Sequence, residues 1–367
     1  MRLDFDASLC VRAKSRVSNC TKCADVCPSQ IQIVNNLPSF IPSTGVQAAA
    51  CVGVCPTEAF SLSGFSVTEF FFDFLASKAR LISPDVNIPC VSVLSVEHFI
   101  ALALASDEPI SLDLTGYKKG STLLEYIEAT IEEANFVLSS FCDKRLETNT
   151  LKPPVQEKSP LAQEETSRRD FLRNVSLQGA IKQKLAFDEA VDAQMLQHFE
   201  IDSGMVAKIK NKQLPDKRKI LFAALKKTAA PKVFEILPQE EISCISQKYI
   251  NEDCTNCQIC YRVCPTGALS SDNKFSLIHF DAMLCVKCRL CHDVCEPHAI
   301  GLQSGFEIKE FFEPTQRTLA VFNVKRCDEC GNYFTYTSGE QICPRCKIEE
   351  EEALVLHQNA KEFKKEG

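Results

Sequence analysis

The sequence predicts an α+β protein built from several domains. Three observations predict it. The chain has 367 residues, too many for one ordinary hydrophobic core. Its 45% apolar and 24% charged composition is that of a folded chain and excludes wholesale disorder. Short runs of strand type interleave with runs of helical spacing, and 21 cysteines gather in separated groups.

The cysteines draw the map. Six lie in residues 10–55, eight in 254–295 and four in 327–346, while Cys90, Cys142 and Cys244 stand alone. The expected units are 1–64, a small α/β unit at 65–145, a linker and basic helical segment at 146–239, a second cysteine unit at 240–306, and a third with an acidic tail at 307–367. An odd cysteine total in a chain this long argues against a disulfide framework. Nearly all the cysteines fall in Cys-x2-Cys or Cys-x3-Cys runs, which suit metal binding in a reducing compartment.

Other classes are excluded early. With 41 Lys and Arg against 48 Asp and Glu, the net charge is −7, which disfavours general nucleic-acid binding. No stretch approaches the ~18 consecutive apolar residues of a membrane span. Met1-Arg2-Leu3-Asp4-Phe5-Asp6 carries no apolar signal core, so a cytoplasmic location is expected. No Gly-rich dinucleotide loop, P-loop or nucleophile motif is present, so no independent catalytic activity is expected.

In the 65–145 unit, Phe70 to Leu81 reads as an apolar helix and Ile88 to Leu94 as a short buried strand. Val96 to Ala105 reads as a helix, Ile110 to Leu114 as a strand, and Ser121 to Asn135 as a helix with Leu123, Leu124, Ile127 and Ile131 at helical spacing. That order predicts a βαβ layer. Residues 146–166, with Pro153-Pro154, read as linker. In 167–232, Lys and Arg outnumber Asp and Glu, and Pro215-Asp216 opens a helix containing Ile220, Leu221 and Leu225. Ser167-Arg168-Arg169-Asp170-Phe171-Leu172-Arg173 matches a twin-arginine export consensus. Its mid-chain position and the polar residues 179–184 after it favour a capped basic helix instead.

Residues 254–264 read Cys-x2-Cys-x2-Cys-x3-Cys-Pro, and 285–295 repeat Cys-x2-Cys-x2-Cys-x3-Cys before Glu296-Pro297. Zinc sites use paired knuckles rather than triplets of this kind. With Cys264-Pro265-Thr266-Gly267-Ala268, the pattern closely resembles the two-cluster [4Fe-4S] bacterial ferredoxins. The resemblance implies crossed ligation, in which the fourth cysteine of each run serves the other cluster. One cluster is then held by Cys254, Cys257, Cys260 and Cys295, the other by Cys285, Cys288, Cys291 and Cys264.

A damaged copy of the ferredoxin pattern lies at 10–60. Cys20-x2-Cys23-x3-Cys27-Pro28 matches the end of one run and Cys51-x3-Cys55-Pro56 the end of another. Val17, Gly45 and Ala48 stand where further ligands belong. The expectation is a third cluster on Cys10, Cys20, Cys23 and Cys55, with Cys10 looping back and Cys27 and Cys51 left over near one another. The rival is a metal-free packing domain.

Cys327-x2-Cys330 and Cys343-Pro344-Arg345-Cys346 are separated by twelve residues. They resemble a zinc ribbon, implying one structural Zn²⁺ on Cys327, Cys330, Cys343 and Cys346, with rubredoxin-type iron as the rival. The Pro89-Cys90 region resembles a module beside ferredoxin domains in which a later Cys-x2-Cys completes a metal site. Here Gly116-Tyr117-Lys118-Lys119-Gly120 stands there instead, so Cys90 is expected to be a buried structural cysteine.

The fold class is therefore α+β and multi-domain, with two ferredoxin-like units, a small α/β domain, a helical linker and a zinc ribbon. The expected function is single-electron transfer to or from a partner oxidoreductase. The resemblance extends to proteins that accompany molybdenum or tungsten oxidoreductases such as formate dehydrogenase. The alternative is an accessory or maturation factor for such an enzyme, docking through 167–232.

Overall fold

A computed structural model describes residues 1–27, 30–40, 49–149 and 208–363, with side chains placed up to 356. The arginine pair at 168–169, Gly45 and Ala48 lie outside the described residues. Helices and many small sheets are mixed, as an α+β chain requires.

The N-terminal portion runs β1 (Leu3–Phe5), α1 (Val11–Lys14), α2 (Lys22–Val26), β2 (Ile31–Val34), β3 (Leu37–Phe40), α3 (Ala50–Val54) and β4 (Phe60–Leu62). Strand β1 pairs antiparallel with β4, and β2 with β3. The β2–β3 turn is made by Asn35 and Asn36, both at positive φ, where Asn is the tolerated alternative to Gly. Phe5, Phe40 and Phe60 stack between the two sheets at centroid distances of 4.9 to 6.4 Å.

Next come α4 (Val67–Ala76), β5 (Leu81–Ile82), α5 (Val96–Ala105), β6 (Ile110–Asp113), α6 (Thr122–Ser139) and β7 (Leu146–Asn149). The three strands form one parallel sheet in the order β5-β6-β7. Helix α5 has the expected bounds, because Ser95 caps it and pairs with His98 in a capping box. Three expectations need correction. The helix expected at 70–81 begins at Val67, where Ser66 caps it, and ends at Ala76; Leu81 opens β5. The strand expected at 88–94 is a single 3₁₀ turn, Val91–Val93. Pro89 offers no N–H to a ladder, and the Val91 N–H donates instead to Tyr117 Oη at 2.9 Å. Residues 146–149, read as linker, form an edge strand of which only Leu146 is buried.

Helix α7 (Asp216–Leu225) starts after Pro215, as expected. The following portion runs β8 (Ile236–Pro238), β9 (Lys248–Ile250), α8 (Ile259–Val263), β10 (Leu269–Ser271), β11 (Leu277–Asp281), α9 (Leu290–Asp293) and β12 (Ile300–Leu302). Strand β9 pairs with β12 and β10 with β11, all antiparallel. This repeats the N-terminal order: outer strand, helix, hairpin, helix, outer strand. The repeat is also exact in offset, since Phe40 and Phe280 each lie eleven residues before Cys51 and Cys291, and both are buried. Strands β13 (Gly305–Glu307) and β14 (Gln316–Val321) flank α10 (Lys309–Phe312). The hairpin β15 (Val324–Arg326)–β16 (Tyr333–Thr335) and the helix α11 (Pro344–Phe363) complete the chain.

Helix α7 fastens these portions together. Its Arg218 is wholly buried and binds Glu97 of α5 through Nε and Nη2 at 3.2 and 3.1 Å. The same guanidinium donates to the carbonyls of Met283 (2.7 Å) and Cys244 (2.8 Å). Lys217, also buried, donates to the Cys55 carbonyl and lies 3.7 Å from Glu97. Glu58 accepts the N–H groups of Asp216 and Lys217 at 2.6 and 3.0 Å, a carboxylate at a helix N-terminus. One short helix thus meets the N-terminal portion, the parallel sheet unit and the second cysteine unit.

Candidate metal centres

The two cysteine runs share one backbone device. In the first, Asn256 and Gln258 adopt positive φ (55° and 71°); in the second, Lys287 and Arg289 do (44° and 63°). These are the same positions relative to Cys254 and Cys285. Left-handed residues between the cysteines curl the chain so that thiols three and six residues apart converge. After each fourth cysteine the chain turns left-handed again, at Gly267 (77°) and His298 (52°). The Ala299 N–H then donates back to Cys295 Sγ at 3.2 Å.

The thiols converge in two cavities. Cys254, Cys257, Cys260 and Cys295 line one, with Ile278, Val294, Pro297 and Ile300. Cys264, Cys285, Cys288 and Cys291 line the other, with Leu269, Phe280 and Val286. The fourth cysteine of each run stands with the triplet of the other. Neither cavity is lined by a carboxylate. Burial first, and then the charges of Cys291, Cys257 and Cys254, push the Cys260 thiol up to about 12. Cys291 is raised to about 12, chiefly by burial. Four thiols crowded together, most of them buried, do not all ionise unless a cation or cationic cluster joins them. The donor set therefore fits an iron–sulfur cube: thiols as the only acidic donors, a largely apolar shell with the cations Lys248 and Arg289 beside the Cys264 group, and backbone N–H groups aimed at sulfur.

In the N-terminal portion, Cys10, Cys20, Cys23 and Cys55 stand within mutual electrostatic range. Burial raises Cys10 to about 12, with Cys55 and Cys20 adding to it. Cys55 reproduces the arrangement at Cys295: Ala59 N–H donates to its Sγ at 3.3 Å, and Glu58 takes the left-handed position (54°). The triplet device is gone, since Thr21 has φ −122° and Val17 lies exposed at the surface. Cys10 reaches the group at the N-cap of α1. Cys27 and Cys51 lie near one another, between α2 and α3.

This group adjoins the second cavity. Val11 packs on Leu290 and Val294 in a small apolar cluster against which Cys20 and Cys288 both rest. Lys14, whose Nζ donates to the carbonyls of Ile209 and Asn211, stands within electrostatic range of Cys10, Cys264 and Cys288, and Asn19 N–H donates to Asp293 Oδ2 at 2.9 Å. Cys260 and Cys291, on the contacting helices α8 and α9, stand within electrostatic range of each other. The three groups form a row, with the Cys264 group in the middle. Cys257, at the far end, is exposed.

The fourth cysteine group is of another kind. The Sγ atoms of Cys327, Cys330, Cys343 and Cys346 all lie within 4.8 Å of one another. Four thiolates on one Zn²⁺ at about 2.3 Å stand about 3.8 Å apart, so this group fits a single tetrahedral ion. Cys343 N–H donates to Cys327 Sγ at 3.2 Å, and Cys346 N–H to Cys343 Sγ at 3.5 Å. The local core is Cys327, Cys343 and Cys346 with only Phe334 and Ile342 against it. Its hairpin touches the first cavity's loop, since Asn256 Nδ2 donates to Thr335 Oγ1 at 3.0 Å.

Cys90 has no thiol partner. Its Sγ meets Ser92 Oγ at 2.9 Å and Tyr117 Oη at 3.3 Å, so Tyr117 fills the place of the later cysteine pair. The residues that sequence reasoning missed are Glu97, Lys217 and Arg218. The surface-docking expectation for the basic segment fails at the last two, whose charges are spent inside the protein.

Residues 248–270 match the family described as 4Fe-4S binding domain. This stretch holds Cys254, Cys257, Cys260 and Cys264 and supports iron–sulfur electron transfer as the class of function. No curated protein and no solved structure gives a match. Among the described residues, no helix is long and apolar enough to cross a membrane.

Proposed function

We propose that the chain is an electron relay of three [4Fe-4S] clusters with one structural zinc, exchanging single electrons with a partner oxidoreductase. The observation that carries it is the pair of adjoining cavities, each completed by a cysteine from the other's run. The ligand sets are Cys254, Cys257, Cys260 and Cys295; Cys264, Cys285, Cys288 and Cys291; and Cys10, Cys20, Cys23 and Cys55. Two of these belong to a ferredoxin-like unit and the third to its reduced N-terminal copy. Zinc sits on Cys327, Cys330, Cys343 and Cys346.

Each cluster supplies a one-electron couple, so no substrate pocket is required. The chain's own residues set the conditions. The largely apolar linings limit water around the buried thiols, and the Ala59 and Ala299 N–H groups hydrogen-bond sulfur, stabilising the thiolates. Lys14 places a cation between the second and third groups, where it offsets their negative charge. The exposed Cys257 end is where a partner gains closest approach.

The partner is a molybdenum or tungsten oxidoreductase on the resemblance alone. The accessory-factor reading keeps Lys219, Lys226 and Lys227 as exposed charges on the described part of its docking segment. Iron analysis of anaerobically reconstituted full-length protein tests the relay. About twelve irons are expected, falling by about four in Cys257→Ser, Cys10→Ser and Cys55→Ser. A wild-type value near eight would remove the third cluster.

A further inference from the structure

A cavity of about 330 Å³ lies where the N-terminal portion, α4, α5 and the start of α7 meet. That volume is in the range of small-molecule sites. One side is apolar, with Leu9, Val52, Phe60, Leu62 and Phe65. The charged lining is Lys14 against Glu58 and Asp216, and all three are engaged. Lys14 Nζ donates to the Ile209 and Asn211 carbonyls, Glu58 accepts the first N–H groups of α7, and Asp216 accepts from Lys219 at 2.8 Å. One cation against two carboxylates disfavours an anionic occupant.

His98 is the exception. It is 3% exposed and lines the cavity. Ser95 N–H donates to its Nδ1 at 3.2 Å, so the proton of the neutral ring sits on Nε2. Burial lowers the ring's pKa to about 4, which keeps it neutral. Among the described residues, Nε2 has no hydrogen-bond partner. With Nδ1 turned back to Ser95, the free edge of the ring carries a buried donor, and buried donors in folded proteins find acceptors. The occupant that fits is neutral, largely apolar and able to accept at a carbonyl oxygen.

The walls also adjoin two of the cysteine groups. Leu9 directly precedes Cys10, Pro265 directly follows Cys264, and Thr57 Oγ1 lies 3.8 Å from Cys55 Sγ. An occupant stands beside the middle and last groups of the row, away from the exposed Cys257. Among neutral carbonyl compounds, quinones are the class that takes electrons one at a time.

We propose that this cavity is a quinone site, in which His98 Nε2–H donates to one quinone carbonyl and the clusters beside Cys10 and Cys264 deliver electrons. The proposal rests on the relay reading. Two electrons arrive singly from the partner oxidoreductase, each cluster returning to its oxidised state. Both C=O groups become C–OH, and the two protons come from solvent past Ser61 and Gln213, which are exposed. One hydroquinone leaves per two electrons.

The experiment uses anaerobically reconstituted full-length protein and tetramethyl-1,4-benzoquinone, whose fully substituted ring does not add thiols. Equilibrium dialysis of the oxidised protein should show one saturable site per chain. Thr68→Trp on α4 and Gln213→Trp before α7 narrow the cavity from two different segments. Each should weaken binding about tenfold at unchanged iron content. His98→Phe keeps a ring, loses the donor and should also cost about tenfold. After reduction with dithionite and desalting, the rate of cluster reoxidation should saturate with quinone concentration and fall in both Trp variants. No saturable binding in protein holding about twelve irons would overturn the quinone site and leave the relay standing. Saturable binding that both Trp variants leave unchanged would place the quinone elsewhere and also overturn it. Reoxidation strictly proportional to quinone concentration would overturn the reduction step, since collision at the exposed cluster then suffices. About eight irons in the wild type would overturn the third cluster of the relay, and saturating reoxidation in that protein would assign the donor to the Cys264 group.

Discussion

Replacing Arg218 by Ala should loosen the whole assembly without touching a cysteine. The side chain is 0% exposed, and Glu97 is 2% exposed. Its removal deletes two hydrogen bonds to Glu97 Oε1 and strips the Met283 and Cys244 carbonyls of their donor. Breaking a buried ion pair from one side costs about 3–5 kcal/mol, because the remaining charge stays buried. Lys217, 3.7 Å from Glu97, keeps partial compensation and pulls the figure down. The two orphaned carbonyls, at about 1 kcal/mol each, push it up again. The expected loss is about 4 kcal/mol. Hydrogen exchange reads this directly: amides of α7 and of 283–291 should lose about a thousandfold of protection at unchanged iron content. The double replacement Arg218→Met with Glu97→Gln should recover part of it, since the carboxylate left without Arg218 is then removed, while Lys217 loses its own partner at 3.7 Å. Protection within about tenfold of wild type in Arg218→Ala would refute the reasoning.

Other outcomes follow from the same structure. Cys330→Ala should release about one zinc and unfold 322–348 while the iron content stays, because little besides cysteine fills that core. Stoichiometric red iron at this site would replace the zinc assignment. His98 is buried and neutral, its pKa lowered to about 4 by burial and then by Lys217, against the opposite pull of Glu97 and Asp216. The unfolded chain therefore takes up the proton first. The resulting stability is fully present above pH 6.5 and lost as pH falls towards 4, about 3 kcal/mol in all. Urea midpoints measured across that window should fall less steeply in His98→Gln, and equal slopes would count against it. Gly53→Ala should destabilise by about 1–3 kcal/mol, since a Cβ there would sit 2.8 Å from the Leu94 carbonyl oxygen and closer still to that of Ser92. An unchanged melting temperature would show that α3 can shift away.

The grouping of the cysteines was legible because they repeat at short, fixed spacing. The thiols of Cys254, Cys257 and Cys260 converge through local backbone turns that such spacing requires. The return of Cys10 to Cys20, Cys23 and Cys55 was legible only by subtraction, since the motif had lost one member at Val17. Helix α5 was legible to the residue because Ser95 and His98 mark its start and its face is continuously apolar. The 3₁₀ turn at 91–93 was not, because the partner that bends it, Tyr117, lies 26 residues away. Strand β7 was hidden because an edge strand with one buried residue has no alternation to display. The Glu97–Arg218 pair spans 121 residues, and nothing in a local pattern distinguishes a basic helix bound for solvent from one that will be buried.

Glu58 carries a conflict between scales. Its backbone stands where the sister turn has His298, in a conformation that costs a side-chain-bearing residue about 1–2 kcal/mol. Its carboxylate holds the start of α7, which no glycine can do. Local preference and global fold therefore disagree at this residue, and the sequence sides with the global one. Frustration of this kind is retained where an interface matters more than a turn. Relaxing it by Glu58→Gly would ease the turn and weaken the attachment of α7. The N-terminal copy has given up three cysteines of its own pattern, yet at this position it has taken on strain to stay joined to the rest of the chain.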